Sequence, residues 1–286
     1  MIKIIDTYPT MPEAFEDKIF QFDKWEKYIN SVYPNAAALF IADMEKCIAA
    51  GKVTWENDYL PVLNMVVCSD ELRELAHESF CKATEGLEQK VSDIFGKSLE
   101  ADIVFYLGLC NGAGWVKQYN GRTIVFLGIE KIIELNWCGI DDMYGLIYHE
   151  LGHVYHKQYG IIDRKFDSDA ESFLWQLFKE GIAMYFEQAL VGDSDYYHED
   201  KDGWKEWCDT HFKDIKRDFT CDLKTMTFAT QRYFGDWVSY QGHSDVGYYL
   251  GCKFVHFVLS KYDFDDIISF DVDKVAELYG QFTRSQ

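Results

Sequence analysis

The stretch from Asp141 to Gly160 constrains this chain more than any other. Asp141 and Asp142 are good helix N-caps, because a short carboxylate can accept from the first free backbone N–H groups. Gly160 suits the left-handed residue that closes a helix, and no proline interrupts the run between. Leu146, Ile147, Leu151 and Val154 make this helix largely apolar, so it is expected to be buried. Yet it carries His149, Glu150 and His153 in its middle. Burying such groups without partners costs on the order of several kcal/mol, so the fold must supply something for them to bind.

His149 and His153 lie four positions apart, about 400° of helical rotation, so both imidazoles leave one face a turn apart. Two neutral imidazoles so placed can hold one Zn²⁺ at about 2.0–2.1 Å each. Glu150 stands beside His149 but off the ligand line, where it can reach a water on the metal without becoming a ligand. Such a water has its pKa lowered to about 7, and Glu150 can take its proton as general base and pass it to a leaving amine. The pattern is HExxH. Gly152, between the two histidines, leaves room for close packing or for a substrate strand. His156 falls roughly on the same face and is expected beside the site or in solvent. A longer motif would need a histidine where Tyr159 stands.

A catalytic zinc usually has three protein ligands and one open position. The next helix is expected to start at Ser168, with Glu171 three residues on completing a capping box, and to run to about Leu190 with Gly192 beyond it. It offers Glu171, Glu180 and Glu187. Glu171 is better used as a cap.

Upstream, residues from about Met11 to Lys97 read as helical: Phe15, Ile19, Phe22 and Trp25 recur at helix spacing, as do Leu72, Leu75, Phe80, Leu87, Val91 and Ile94. A strand is expected over Ile103–Leu107. A Gly-rich turn, Asn111-Gly112-Ala113-Gly114, precedes a hairpin of Trp115 to Tyr119 and Thr123 to Leu127 around Asn120-Gly121. That hairpin could add an extended peptide to its edge, and Gly114 with its neighbours could contact a substrate terminus. Downstream, Asp193 to Asp202 reads as an exposed acidic loop, and helices are expected near Trp204–Phe219 and Val246–Tyr262. The domains expected are a helical N-terminal region, 1–100, and a catalytic domain with a helical C-terminal part, 101–286.

Composition narrows the partners. The net charge of −20 repels phosphate backbones and anionic membranes, which excludes nucleic acid and membrane surfaces as natural partners. No apolar run reaches membrane-spanning length, and Met1-Ile2-Lys3-Ile4-Ile5-Asp6 lacks the apolar core of a signal peptide, so a cytoplasmic protein is expected. The eight cysteines form no CxxC pair; they read as reduced core thiols, and their spacing excludes a zinc knuckle.

Glu180 stands in Lys179-Glu180-Gly181-Ile182-Ala183-Met184-Tyr185-Phe186-Glu187. HExxH followed by a helix bearing E-G-x-A-x-Y-x-E resembles the gluzincin zinc peptidases, and within them uncharacterised bacterial zinc-dependent proteases. The resemblance covers about residues 100–260 and rests on His149, Glu150, His153, Glu180, Gly181, Ala183 and Tyr185, with a weaker likeness at Gly247-Tyr248-Tyr249-Leu250-Gly251. It implies one Zn²⁺ per chain held by His149, His153 and Glu180, with Glu150 as base. It also implies an α+β, mainly helical fold: a small mixed sheet over the HExxH helix, then a helical C-terminal part. Glu187, on nearly the same face as Glu180, would support the site from behind the ligands. Related peptidases stabilise the oxyanion with a Tyr or His from the C-terminal part, which makes Tyr248, Tyr249 and His243 candidates, Tyr248 first. The function implied is hydrolysis of peptides or small proteins. Two other readings share these residues: a non-catalytic protein binding a peptide or partner on a peptidase scaffold, and a zinc hydrolase of a non-peptide amide or ester. The intact Glu150 argues against the first.

Overall fold

The computed structural model describes residues 1–51 and 53–285. It is α+β and mainly helical, with a small mixed sheet, as expected. Among the described residues no helix is long and apolar enough to cross a membrane. The chain divides into two compact units, Met1–Ile147 and Tyr148–Gln286.

In the first unit, β1 (Ile2–Asp6), β2 (Phe15–Glu16) and β3 (Ile19–Phe20) precede five helices: α1 (Phe22–Val32), α2 (Ala36–Ala49), α3 (Leu60–Cys68), α4 (Asp70–Thr84) and α5 (Leu87–Phe95). Then come β4 (Ala101–Tyr106), β5 (Gly114–Tyr119), β6 (Arg122–Gly128) and α6 (Ile129–Glu134). The sheet order is β1-β4-β6-β5, with β4 parallel to β1 and β6 and with β5 antiparallel at one edge. Every residue of β4 is buried, as a strand inside a parallel pairing should be. Its one carboxylate, Asp102, is satisfied by Arg122 Nε at 2.9 Å and by the Tyr33 hydroxyl at 2.7 Å. The β5–β6 hairpin turns where the sequence signals it: Asn120 and Gly121 both take positive φ, 49° and 77°.

Two expectations fail here. Phe15 and Ile19 belong to a β-hairpin, not a helix. Asp17 and Lys18 adopt φ of 48° and 61°, the chain reverses, and Phe15 pairs with Phe20; the four-residue spacing of two apolar residues fits either period. The division also falls at 147/148 and not near 100. β1 pairs in parallel with β4, Ile4 opposite Ile103, so the N-terminal strand is built into the same sheet as residues 101–128. That partner lies about a hundred residues away, beyond the reach of any local signal.

α7 (Ile140–Tyr159) ends in the second unit, followed by α8 (Asp169–Val191), α9 (Trp204–Asp222), α10 (Val246–Leu259), α11 (Phe264–Ile267) and α12 (Val272–Arg284). α8 begins where its cap residues place it: Ser168 Oγ accepts from the Glu171 N–H at 3.2 Å, and Glu171 Oε2 reaches back to the Asp167 N–H at 2.9 Å. Gly192, at φ 85°, ends it.

Small residues set how closely these helices approach. A Cβ on Gly152 of α7 would lie 2.7 Å from Ala183 Cα on α8. A Cβ on Gly181 of α8 would run into the Gly251 carbonyl of α10 and lie 2.7 Å from Val255 Cγ2. Backbone cannot yield as a flexible side chain can. Gly181→Ala is therefore expected to destabilise the protein by about 1–3 kcal/mol, the usual cost of overpacking. Urea unfolding measures this, and an unchanged midpoint would show that α10 can slide away freely.

Candidate metal centre

α7 and α8 bring the expected ligands together. His149 Nε2 lies 3.3 Å and His153 Nε2 3.0 Å from the same oxygen, Glu180 Oε2. His149 and Glu180 are buried, at 4% and 5% exposure. Three donors around a tetrahedral zinc with bonds of about 2.0–2.2 Å stand roughly 3.4 Å apart, so these atoms already sit near ligand spacing, and the group could hold a metal ion. The donor chemistry fits as well. Two imidazoles and a carboxylate suit a borderline divalent ion. The Nδ1 of His153 is buried with no hydrogen-bond partner among the described residues, while its Nε2 faces Glu180.

Charge explains how a carboxylate is kept ionised here. Burial alone would raise Glu180; Lys179, whose Nζ lies 3.2 Å from Oε1, together with His153 and His149, holds it well below the usual carboxylate range. For His149 burial works downward, but the hydrogen bond to Glu180 and the charges of Glu180 and Glu187 outweigh it and raise the imidazole. Glu150 is buried at 6% exposure on α7, and burial raises its carboxyl above the ordinary value against the pull of His153 and His149. A raised carboxyl is a better proton acceptor, which suits a base.

Behind His149 lies a second line of groups. Its Nδ1 faces Glu187 Oε2 at 3.4 Å, an ion-pair distance without a formed hydrogen bond, close to the arrangement in which a carboxylate orients a metal-binding imidazole. Glu187 is fully buried and accepts from His198, from its backbone N–H at 3.3 Å and from Nδ1 at 3.0 Å. His198 Nε2 in turn lies 3.6 Å from Glu199 Oε1. Burial lowers His198, but Glu187 and Glu199 outweigh it and lift the imidazole to about 9; burial lifts Glu199 to about 7. His149, Glu187 and His198 also form a group of ligand atoms close enough for an ion. Because it uses the far nitrogen of His149, it serves the first group best as support.

His198 and Glu199 overturn the reading of Asp193 to Asp202 as simply exposed: Tyr197, His198 and Glu199 are buried at 4%, 5% and 9%. A usable signal was present, a Tyr-Tyr-His-Glu run inside an otherwise acidic loop. Lys179 was equally legible as the neighbour of Glu180.

The remaining candidates separate cleanly. Tyr248 joins the cluster, its ring 5.6 Å from His149. Burial raises its hydroxyl well above the ordinary value, and Glu180 and Glu150 add to this, so it stays protonated and able to donate. Tyr249, one position on, turns away: its hydroxyl donates to Asp209 at 2.6 Å and its ring packs on Tyr197 and Trp204. His243 stacks on Trp207 at 3.9 Å and does not join the cluster. His156 is not in solvent but close enough to His153 and Lys179 to feel their charge. It is fully buried near Trp175 and Phe178, and burial pushes it down to about 3, a neutral core imidazole. Gly114 opens β5 in the first unit, paired with Leu127. The turn before it is held internally, with Glu130 accepting from Gly108 and Cys110 and Asn111 donating to Asp43. Of the eight cysteines, all unbridged, Cys138, Cys208 and Cys252 are core thiols, but Cys47, Cys68, Cys81 and Cys221 are exposed, contrary to expectation.

The second unit therefore belongs to a class that can be stated: a helical body with a buried histidine–carboxylate cluster able to hold a metal ion. No protein-family model, curated protein or solved structure matches the chain.

Proposed function

We propose that this chain is a zinc-dependent peptidase of the gluzincin type, with His149, His153 and Glu180 as ligands and Glu150 as general base. The observation that carries the reading is the convergence of His149 Nε2 and His153 Nε2 on Glu180 Oε2, with a buried Glu150 on the same helix. A structural ion pair would need no such base. A zinc held by His149, His153 and Glu180 would supply Lewis acidity and a water acidified to a pKa of about 7. Glu150 accepts the proton of the attacking water and returns it to the leaving amine. Tyr248 donates its hydroxyl proton in a hydrogen bond to the developing oxyanion. Glu187, tied to His198, holds the His149 ring in the tautomer with its Nε2 lone pair facing the ligand group.

The test is metal removal. Chelation should abolish hydrolysis of a mixed peptide library, and stoichiometric zinc should restore it; full peptidase activity in metal-free protein would refute the proposal. Tyr248→Phe, which removes one hydroxyl, is expected to lower kcat about 10²–10³-fold with KM little changed. An unaltered kcat would assign the oxyanion to another donor.

A further inference from the structure

A second group of ligand-type side chains lies in the first unit, formed by Asp6 at the end of β1 and by His77 and Cys81 on α4. His77 and Cys81 are four positions apart, so α4 presents both from one face. His77 Nε2 lies 2.8 Å from Asp6 Oδ2 and 3.4 Å from Cys81 Sγ. One imidazole nitrogen has a single in-plane lobe, so it can make one good hydrogen bond in that direction; here a carboxylate oxygen and a sulfur share it. Such sharing is expected where donors converge on a common point. Around a tetrahedral ion with bonds of about 2.0–2.3 Å, neighbouring donors stand roughly 3.4–3.6 Å apart. Cys81 is already there, and Asp6, whose side chain is 31% exposed, has room to draw back.

The ring is also held in place. His77 stacks on Tyr8 at 4.1 Å, with the ring planes nearly parallel at 9°, and on Phe105 of β4 at 6.0 Å. The other oxygen of Asp6 accepts from the Tyr8 N–H at 2.9 Å, which aims Oδ2 at His77. Fixed rings and an oriented carboxylate mean that little ordering remains for an ion to impose. The site is open to solvent, with Asp6 and Cys81 exposed and His77 half-buried, and it lies outside every residue assigned to hydrolysis.

We infer that Asp6, His77 and Cys81 form a second metal site, which takes a zinc-class divalent ion and ties the end of β1 to α4. Thiolate, imidazole and carboxylate together favour borderline ions such as Zn²⁺ or Co²⁺ over Mg²⁺ or Ca²⁺. Binding deprotonates Cys81: the sulfur–metal bond replaces the S–H bond and the proton leaves to water.

Sulfur makes the test independent of the His149 centre, whose ligand group contains no thiol. Metal-stripped full-length protein is titrated with Co²⁺, and the near-ultraviolet thiolate-to-cobalt charge-transfer band is followed. The expected result is a band that saturates by about two equivalents, the thiol-free His149 centre taking up the other ion, is abolished in Cys81→Ser, and needs at least about tenfold more Co²⁺ in His77→Gln, which keeps the thiol but removes a ligand. Zinc content of Cys81→Ser should fall by one ion per chain while peptidase activity is retained. Absence of the band in the wild type, or a band undiminished in both variants, would overturn the inference. Neither outcome touches the reading of the second unit.

Discussion

Glu150→Gln is expected to retain the wild-type metal content of the α7–α8 centre and to lose about 10²–10⁴-fold in kcat, the usual contribution of a positioned general base. The amide preserves the volume of a side chain that is 6% exposed, so the packing of α7 should survive. It cannot take a proton. Glu150 also stands outside the group formed by His149, His153 and Glu180, so affinity should be indifferent to the change. Native mass spectrometry of the purified variant and steady-state kinetics on a cleaved peptide give the two readouts. Wild-type turnover would remove Glu150 from the chemistry; loss of metal together with activity would make it a ligand.

Glu180→Ala should show the opposite pattern, with metal affinity falling by more than about 100-fold, since even groups behind a ligand commonly cost 10–100-fold. Stability should fall too. Glu180 faces His149, His153 and Lys179 in a buried cluster, and removing one partner of a buried pair costs about 3–5 kcal/mol. Glu180→Gln keeps the volume and separates the two effects: affinity should drop with a smaller loss of stability. Competition with a chromophoric chelator measures the affinity. An undiminished value in both variants would move the third ligand elsewhere, with Glu187 the nearest rival through His149.

Much of the centre was legible before any coordinates. The i, i+4 histidines, the capping box of α8 and the Gly192 that ends it are local signals, and α8 begins and ends within a residue or two of where they place it. α7 starts at Ile140, so Asp141 and Asp142 lie in its first turn and not at its cap, and Gly160 follows it without the left-handed φ expected of it. Glu187 also stands where its spacing from Glu180 suggested, behind His149. The misses share a cause. Phe15 and Ile19 were assigned by a period that two residues cannot establish, β1 finds its partner about a hundred residues away, and His198 is buried by an acidic segment that composition alone reads as solvated.

The line between the two kinds of information runs through α10. Tyr248 and Tyr249 are adjacent and chemically identical, and the sequence alone left both open. On the helix they diverge by about 100°, so one faces His149 and the other Asp209. By itself, the sequence determined that a buried helix carries two histidines on one face with a carboxylate beside them, because helical rotation depends only on spacing. Which residues meet that face was decided by the tertiary structure, through the close approach of α8 to α7 at Gly152 and to α10 at Gly181 and the burial of His198 behind Glu187. Contacts between distant segments depend on how surfaces fit, and spacing along the chain does not encode that.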